Sequence, residues 1–106
     1  MNLITREELK AKLDQGDAFK LVMALSEWAY RAKHIPGSLH FGNLQEASAV
    51  LNTGDEIVVY CSGPDCVSSI AAYMQLERAG FKSLRRYAGG LTDWEAAGLP
   101  LEGEMV

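Results

Sequence analysis

One short segment, Glu56-Ile57-Val58-Val59-Tyr60, limits this chain's fold more than any other. Its β-branched and aromatic side chains favour extended backbone, and the Thr53-Gly54-Asp55 turn before it marks a clean start. It is the strongest strand in the sequence and should lie at the centre of a sheet. Phe19 to Leu25 is an almost continuous apolar run after a Gly-Asp turn, short enough for a strand buried on both faces. Ser38 to Phe41 and Phe81 to Tyr87 supply two further strands.

Helices fall between them. Thr5 with Glu8 forms a capping box, and Ile4 with Leu9 stands at the spacing of a hydrophobic staple, so a helix should run from Arg6 to about Asp14 and stop at Gly16. Ser26 caps a short helix carrying Trp28 and Tyr30, and Asn43 with Glu46 starts another that ends near Leu51. His34-Ile35-Pro36-Gly37 is a turn. From Val67 to Ala79 the apolar residues Ile70, Ala71, Met74 and Leu76 approximate helical spacing, with Gly80 as the stop. Thr92 and Glu95 suggest a second capping box opening a short helix around Trp94, which Gly98 and Pro100 end. Alternating strands and helices predict an α/β fold with a central, mostly parallel sheet flanked by helices.

Composition narrows the function. The 106 residues are 48% hydrophobic and 23% charged, as expected for one soluble globular domain spanning residues 1–106. A formal charge of −4 offers no attraction to phosphate backbones, so nucleic acid is not an expected partner. Neither a long apolar run nor a basic-then-apolar leader occurs, so no membrane association and a cytoplasmic location are expected. Two cysteines, Cys61 and Cys66, are too few for a disulfide framework and read better as buried, metal-bound or catalytic. Zinc is disfavoured, because His34, His40, Cys61 and Cys66 lack metal-ligand spacing.

The chemistry concentrates in Cys61-Ser62-Gly63-Pro64-Asp65-Cys66-Val67, between the best strand and the following helix. Ligands of open α/β sheets sit at the carboxyl ends of strands, where Cys61 stands. A tight Gly-Pro loop entering a helix points backbone N–H groups at one spot, and both the loop and the helix terminus favour an ionised, nucleophilic sulfur. A plain buried cysteine closing a strand is the competing reading on local grounds.

Four segments, in order, resemble the rhodanese-like sulfurtransferases. His34-Ile35-Pro36-Gly37-Ser38 is similar to that family's His-Ile-Pro-Gly-Ala turn, and Val58-Val59-Tyr60-Cys61 to its active-site strand. Gly89-Gly90-Leu91-Thr92-Asp93-Trp94 with Ala97-Gly98-Leu99-Pro100 is similar to its C-terminal signature. The resemblance implies a rhodanese-like fold in which Cys61 is the nucleophile and Ser62, Gly63, Pro64, Asp65, Cys66 and Val67 form a loop cradling a persulfide. It implies transfer of sulfane sulfur from thiosulfate or a persulfide donor to a thiol, cyanide or protein acceptor, with no metal or organic cofactor.

This chain departs from the pattern at several points. The loop carries acidic Asp65 where active relatives often hold Arg or Lys, leaving Arg85 and Arg86 as candidate auxiliary cations, although solvated edge-strand charges are the plainer reading of both. Cys66 stands where the family usually has Ser or Thr, and a loop curling around Cys61 would let the two sulfurs meet. Met23-Ala24-Leu25 replaces an Asp-x-Arg sequence, making one edge of the site more apolar; core packing is the expected role for these residues and for Trp28 and Tyr30. His34 is expected to brace the Pro36-Gly37 turn. Val67 stands where cysteine phosphatases place the phosphate-gripping Arg, which argues against phosphoryl transfer. Three functions stay open: a Cys61 sulfurtransferase or persulfide carrier, a thiol-redox switch using Cys61 and Cys66, and a non-catalytic binding module.

Overall fold

A computed structural model describes residues 1–106. Its strands β1 (Lys20–Met23), β2 (Ser38–His40), β3 (Glu56–Tyr60) and β4 (Ser83–Tyr87) form one sheet in the order β2-β1-β3-β4. Every pairing is parallel, and β3 lies between β1 and β4 as its composition predicts. The helices are α1 (Arg6–Gln15), α2 (Glu27–Ala32), α3 (Leu44–Val50), α4 (Ser68–Arg78) and α5 (Gly90–Ala96). None is long and apolar enough to cross a membrane.

Period-two alternation along β3 divides the core. Val58 and Tyr60 join Leu9, Ile35, Tyr87 and Trp94 on one face of the sheet, whereas Ile57 and Val59 join Ala47, Tyr73 and Leu76 on the other. Helix α1 begins as expected: Thr5 accepts from the Glu8 amide, Glu8 accepts from the Thr5 amide, and Ile4 and Leu9 are both buried. Gly16 ends the helix at φ +68°, a conformation glycine adopts without steric cost.

Other local expectations are corrected. Thr92 lies inside α5 and caps nothing; its hydroxyl donates to the Ser62 carbonyl at 2.8 Å, because α5 starts earlier, at Gly90. The inward stripe of α4 is Ser69, Tyr73 and Leu76, whereas Met74 is exposed. Trp28 is 74% exposed, because residues two apart on a helix do not share a face and Tyr30 takes the one packed against the core. His34 braces α2 instead of the Pro36-Gly37 turn: Nδ1 lies 2.7 Å from the Tyr30 carbonyl and the ring stacks on Tyr30.

Tyr60 ties β3 to the turn before β2. Its oxygen accepts from the Ile35 amide at 3.0 Å and its hydroxyl donates to Ser38 Oγ at 2.6 Å, leaving the Ser38 proton for the Ile35 carbonyl. Burial pushes the phenol up from 10.0 to about 12, against the opposing effect of its hydrogen bonds to Ser38 and Ile35. The folded value is raised, so the stability tied to the neutral phenol is fully present below pH 10.0 and is lost as pH climbs toward about 12. Urea titrations are therefore expected to show the midpoint falling through that interval, and Tyr60→Phe should flatten the fall. An equal slope in the variant would contradict this assignment.

Candidate functional site

Cys61 follows the last residue of β3 directly, at the carboxyl end of the central strand, and is 1% exposed. Parity puts its side chain on the same face as Ile57 and Val59, the face covered by α4. There its sulfur meets Ser69 in the first turn of α4, with Oγ 3.1 Å from Sγ. Behind Ser69 stands Arg86 of β4, whose Nε donates to Ser69 Oγ at 2.8 Å. That bond leaves the serine hydroxyl proton to point at the sulfur.

Arg86 is the clearest correction to the sequence reading. It is 7% exposed, not a solvated edge charge, because the N-terminal segment runs alongside β4: Arg86 N–H donates to the Asn2 carbonyl at 2.8 Å and Ile4 N–H to the Arg86 carbonyl at 3.1 Å. Its Nη2 also donates to the Cys66 carbonyl at 3.4 Å. No carboxylate forms a salt bridge with it, whereas Arg85, on the opposite face of β4, lies 4.0 Å from Glu8 and away from Ser69. A buried guanidinium without a counter-ion is costly, and the natural remedy is an anion brought to the same place. Arg86 thus supplies from behind the loop the positive charge that the loop itself lacks.

Cys61 and Cys66 are joined as a disulfide, with Cα atoms 6.3 Å apart. The spacing between them is bridged by a turn in which Cys66 N–H donates to the Gly63 carbonyl at 3.1 Å. Pro64 has no N–H, so the amides that donate to no protein acceptor in this loop are those of Ser62, Gly63, Asp65 and Val67. Fewer free amides therefore remain in the loop than the sequence suggests. Asp65 and Val67 are exposed, and the Asp65 carboxylate, facing solvent without a salt-bridge partner, is screened there from the buried sulfur.

Helix α5 anchors the other side of the loop. Leu91 N–H donates to the Cys61 carbonyl at 3.0 Å and Thr92 N–H to the Ser62 carbonyl at 2.8 Å. Gly90 permits this approach: it sits at φ +63°, and a Cβ there would lie 2.5 Å from the Cys61 carbonyl oxygen. Met23, Ala24 and Leu25 line an apolar cleft of about 290 Å³ with Ser68, Ala71 and Ala72 of α4, a cleft that Cys61 and residues 62–67 do not line.

Sequence reasoning missed Ser69, although a signal existed. Ser69, Tyr73 and Leu76 recur at i, i+4 and i+7, so a polar residue occupies the buried stripe of α4. The equivalent signal for Arg86 is that it shares a strand face with the core residue Leu84.

A parallel sheet whose central strand ends in a buried cysteine, with a short loop turning into a helix, defines an α/β thiol-loop domain. The Rhodanese-like domain model matches residues 5–97, and the chain belongs to that family. A rhodanese-like domain from Anabaena superposes with a TM-score of 0.87 at 29% identity, over 99% of this chain and 81% of the other. The human single-domain sulfurtransferase gives 0.75 at 20% identity, over 91% and 96% of the two chains. The thiosulfate sulfurtransferase of Pseudomonas aeruginosa gives 0.81 at 24% identity, over 97% of this chain but 20% of that one. The latter two likenesses are of fold. No curated protein matches the chain.

Proposed function

We propose that this protein is a sulfurtransferase that carries sulfane sulfur on Cys61. Once the Cys61–Cys66 bond is reduced, the Cys61 thiolate attacks the outer sulfur of thiosulfate or of an organic persulfide. The donor S–S bond breaks, sulfite or a thiolate leaves, and Cys61 holds the sulfur as a persulfide. A thiol, cyanide or protein thiolate then attacks that outer sulfur, and Cys61 departs as thiolate. Sulfur, electrons and charge balance around this cycle without metal or organic cofactor. A cytoplasmic setting, where thiols are kept reduced, suits it.

The observation that carries this reading is the Arg86-Ser69-Cys61 arrangement. A buried cation without a carboxylate partner orients a hydroxyl 3.1 Å from the sulfur, favouring negative charge on the thiolate and again on the persulfide. The amides of Ser62, Gly63, Asp65 and Val67 are further candidate donors to that charge. Arg85 is left out of the site. The disulfide favours a second reading, reversible thiol oxidation, in which Cys61 and Cys66 form the redox pair.

Sulfite release tests the first reading, because it reports sulfur capture whatever becomes of the persulfide. Reduced protein given thiosulfate is expected to release sulfite in a burst stoichiometric with Cys61, and Cys61→Ser is expected to release none. Absence of that burst, together with no thiol release from glutathione persulfide, would discard the sulfurtransferase reading.

A further inference from the structure

The position of Cys66 adds a second reaction to the site. Resting on the carrier reading above, we propose that Cys66 is an internal acceptor that discharges the Cys61 persulfide as hydrosulfide. Cys66 Sγ attacks the inner sulfur, Cys61 Sγ; the Cys61–Cys66 bond forms, the bond to the outer sulfur breaks, and that sulfur leaves as HS⁻ carrying the Cys66 proton. The sulfane sulfur gains two electrons and the two cysteine sulfurs lose them, so no outside oxidant is required. An external dithiol then reduces the disulfide and completes the turnover.

Three features of the loop favour this step. The product bond is the one present in the structure, and its Cα separation of 6.3 Å lies in the ordinary disulfide range. Cys66 is held over Cys61 from both sides, by its own N–H on the Gly63 carbonyl and by Arg86 on its carbonyl. The two sulfurs also differ in access, since Cys61 is buried and Cys66 is half-buried. A reducing thiol therefore reaches Cys66 first and expels Cys61, the sulfur beside Ser69, as the leaving thiolate. A serine at position 66 would bind a persulfide but has no means of resolving it.

The test uses reduced protein freed of reductant, then given thiosulfate. The wild type is expected to release hydrosulfide, trapped with monobromobimane, in equal amount to sulfite, and to end two hydrogens lighter than its reduced form by intact mass. Cys66→Ser is expected to release no hydrosulfide and, for each sulfite it does release, to retain the mass of one sulfur atom until a thiol is added. Wild type that releases sulfite yet keeps the sulfur would overturn internal discharge while leaving the carrier function intact. Failure of both proteins to release sulfite would remove the carrier function and this step together.

Discussion

Arg86→Met is expected to slow sulfur capture by Cys61 by roughly ten- to hundredfold. The estimate follows from the charge-assisted hydrogen bond to Ser69, since bonds to charged groups contribute about 1.5–3 kcal/mol and each 1.36 kcal/mol is about tenfold in rate. Methionine keeps much of the apolar stem that packs against α4 while removing the cation and both donated bonds. Arg86 acts through Ser69 and is a positioning residue, so a rate loss alone is insufficient evidence. In a Cys66→Ser background, where Cys61 is the remaining thiol, the pH profile of its alkylation should move upward in Arg86→Met. Arg86→Lys should recover part of both effects, because it restores charge without the guanidinium fork. An unchanged rate with an unchanged pH profile would remove Arg86 from the site.

Trp94→Ala is expected to be the most damaging single core change, lowering stability by about 3–5 kcal/mol. Trp94 is 1% exposed, its Nε1 donates to the Pro100 carbonyl at 2.8 Å, and its ring meets Tyr87 edge-on at 6.1 Å between centroids. Truncation opens a void and removes that hydrogen bond. Against a typical stability of about 5–15 kcal/mol, the loss consumes much of the total. Urea unfolding should show a much lower midpoint at similar slope, and Trp94→Phe should recover most of the apolar contribution. A loss below about 1 kcal/mol, the scale of an ordinary substitution, would contradict the burial argument.

Much of this architecture is legible locally. The composition of Glu56 to Tyr60, the Thr5-Glu8 capping box and the Asn43 cap are each written within a few neighbouring residues and reappear as β3, α1 and α3. The ordered rhodanese-like segments locate Cys61 and its loop correctly as a place in the fold. Legibility fails where a residue's surroundings come from far along the chain. Thr92 and Glu95 match a capping box by spacing, yet Thr92 is recruited by Ser62, thirty positions away. Trp28 looks like core by type, but nothing in its own segment reveals that α2 turns it to solvent.

The two arginines make the same point at the site. Adjacent in sequence and identical in type, Arg85 lies on one face of β4 near Glu8 while Arg86 is buried against α4. Strand parity alone separates them, and the cover that the N-terminal residues lay along β4 turns a charged position into a buried one. Cys61 and Cys66 are different again, since their spacing permits a bond without requiring one.

By itself, then, the sequence determined which segments become strands and helices and where the cysteine loop lies, because apolar period, caps and turns act over a few residues. Tertiary structure decided which charge faces the sulfur, which hydroxyl touches it and that Cys66 closes over Cys61. Those outcomes depend on contacts between β4, α4 and the N-terminal segment, where burial and low dielectric give a guanidinium an influence it lacks in water.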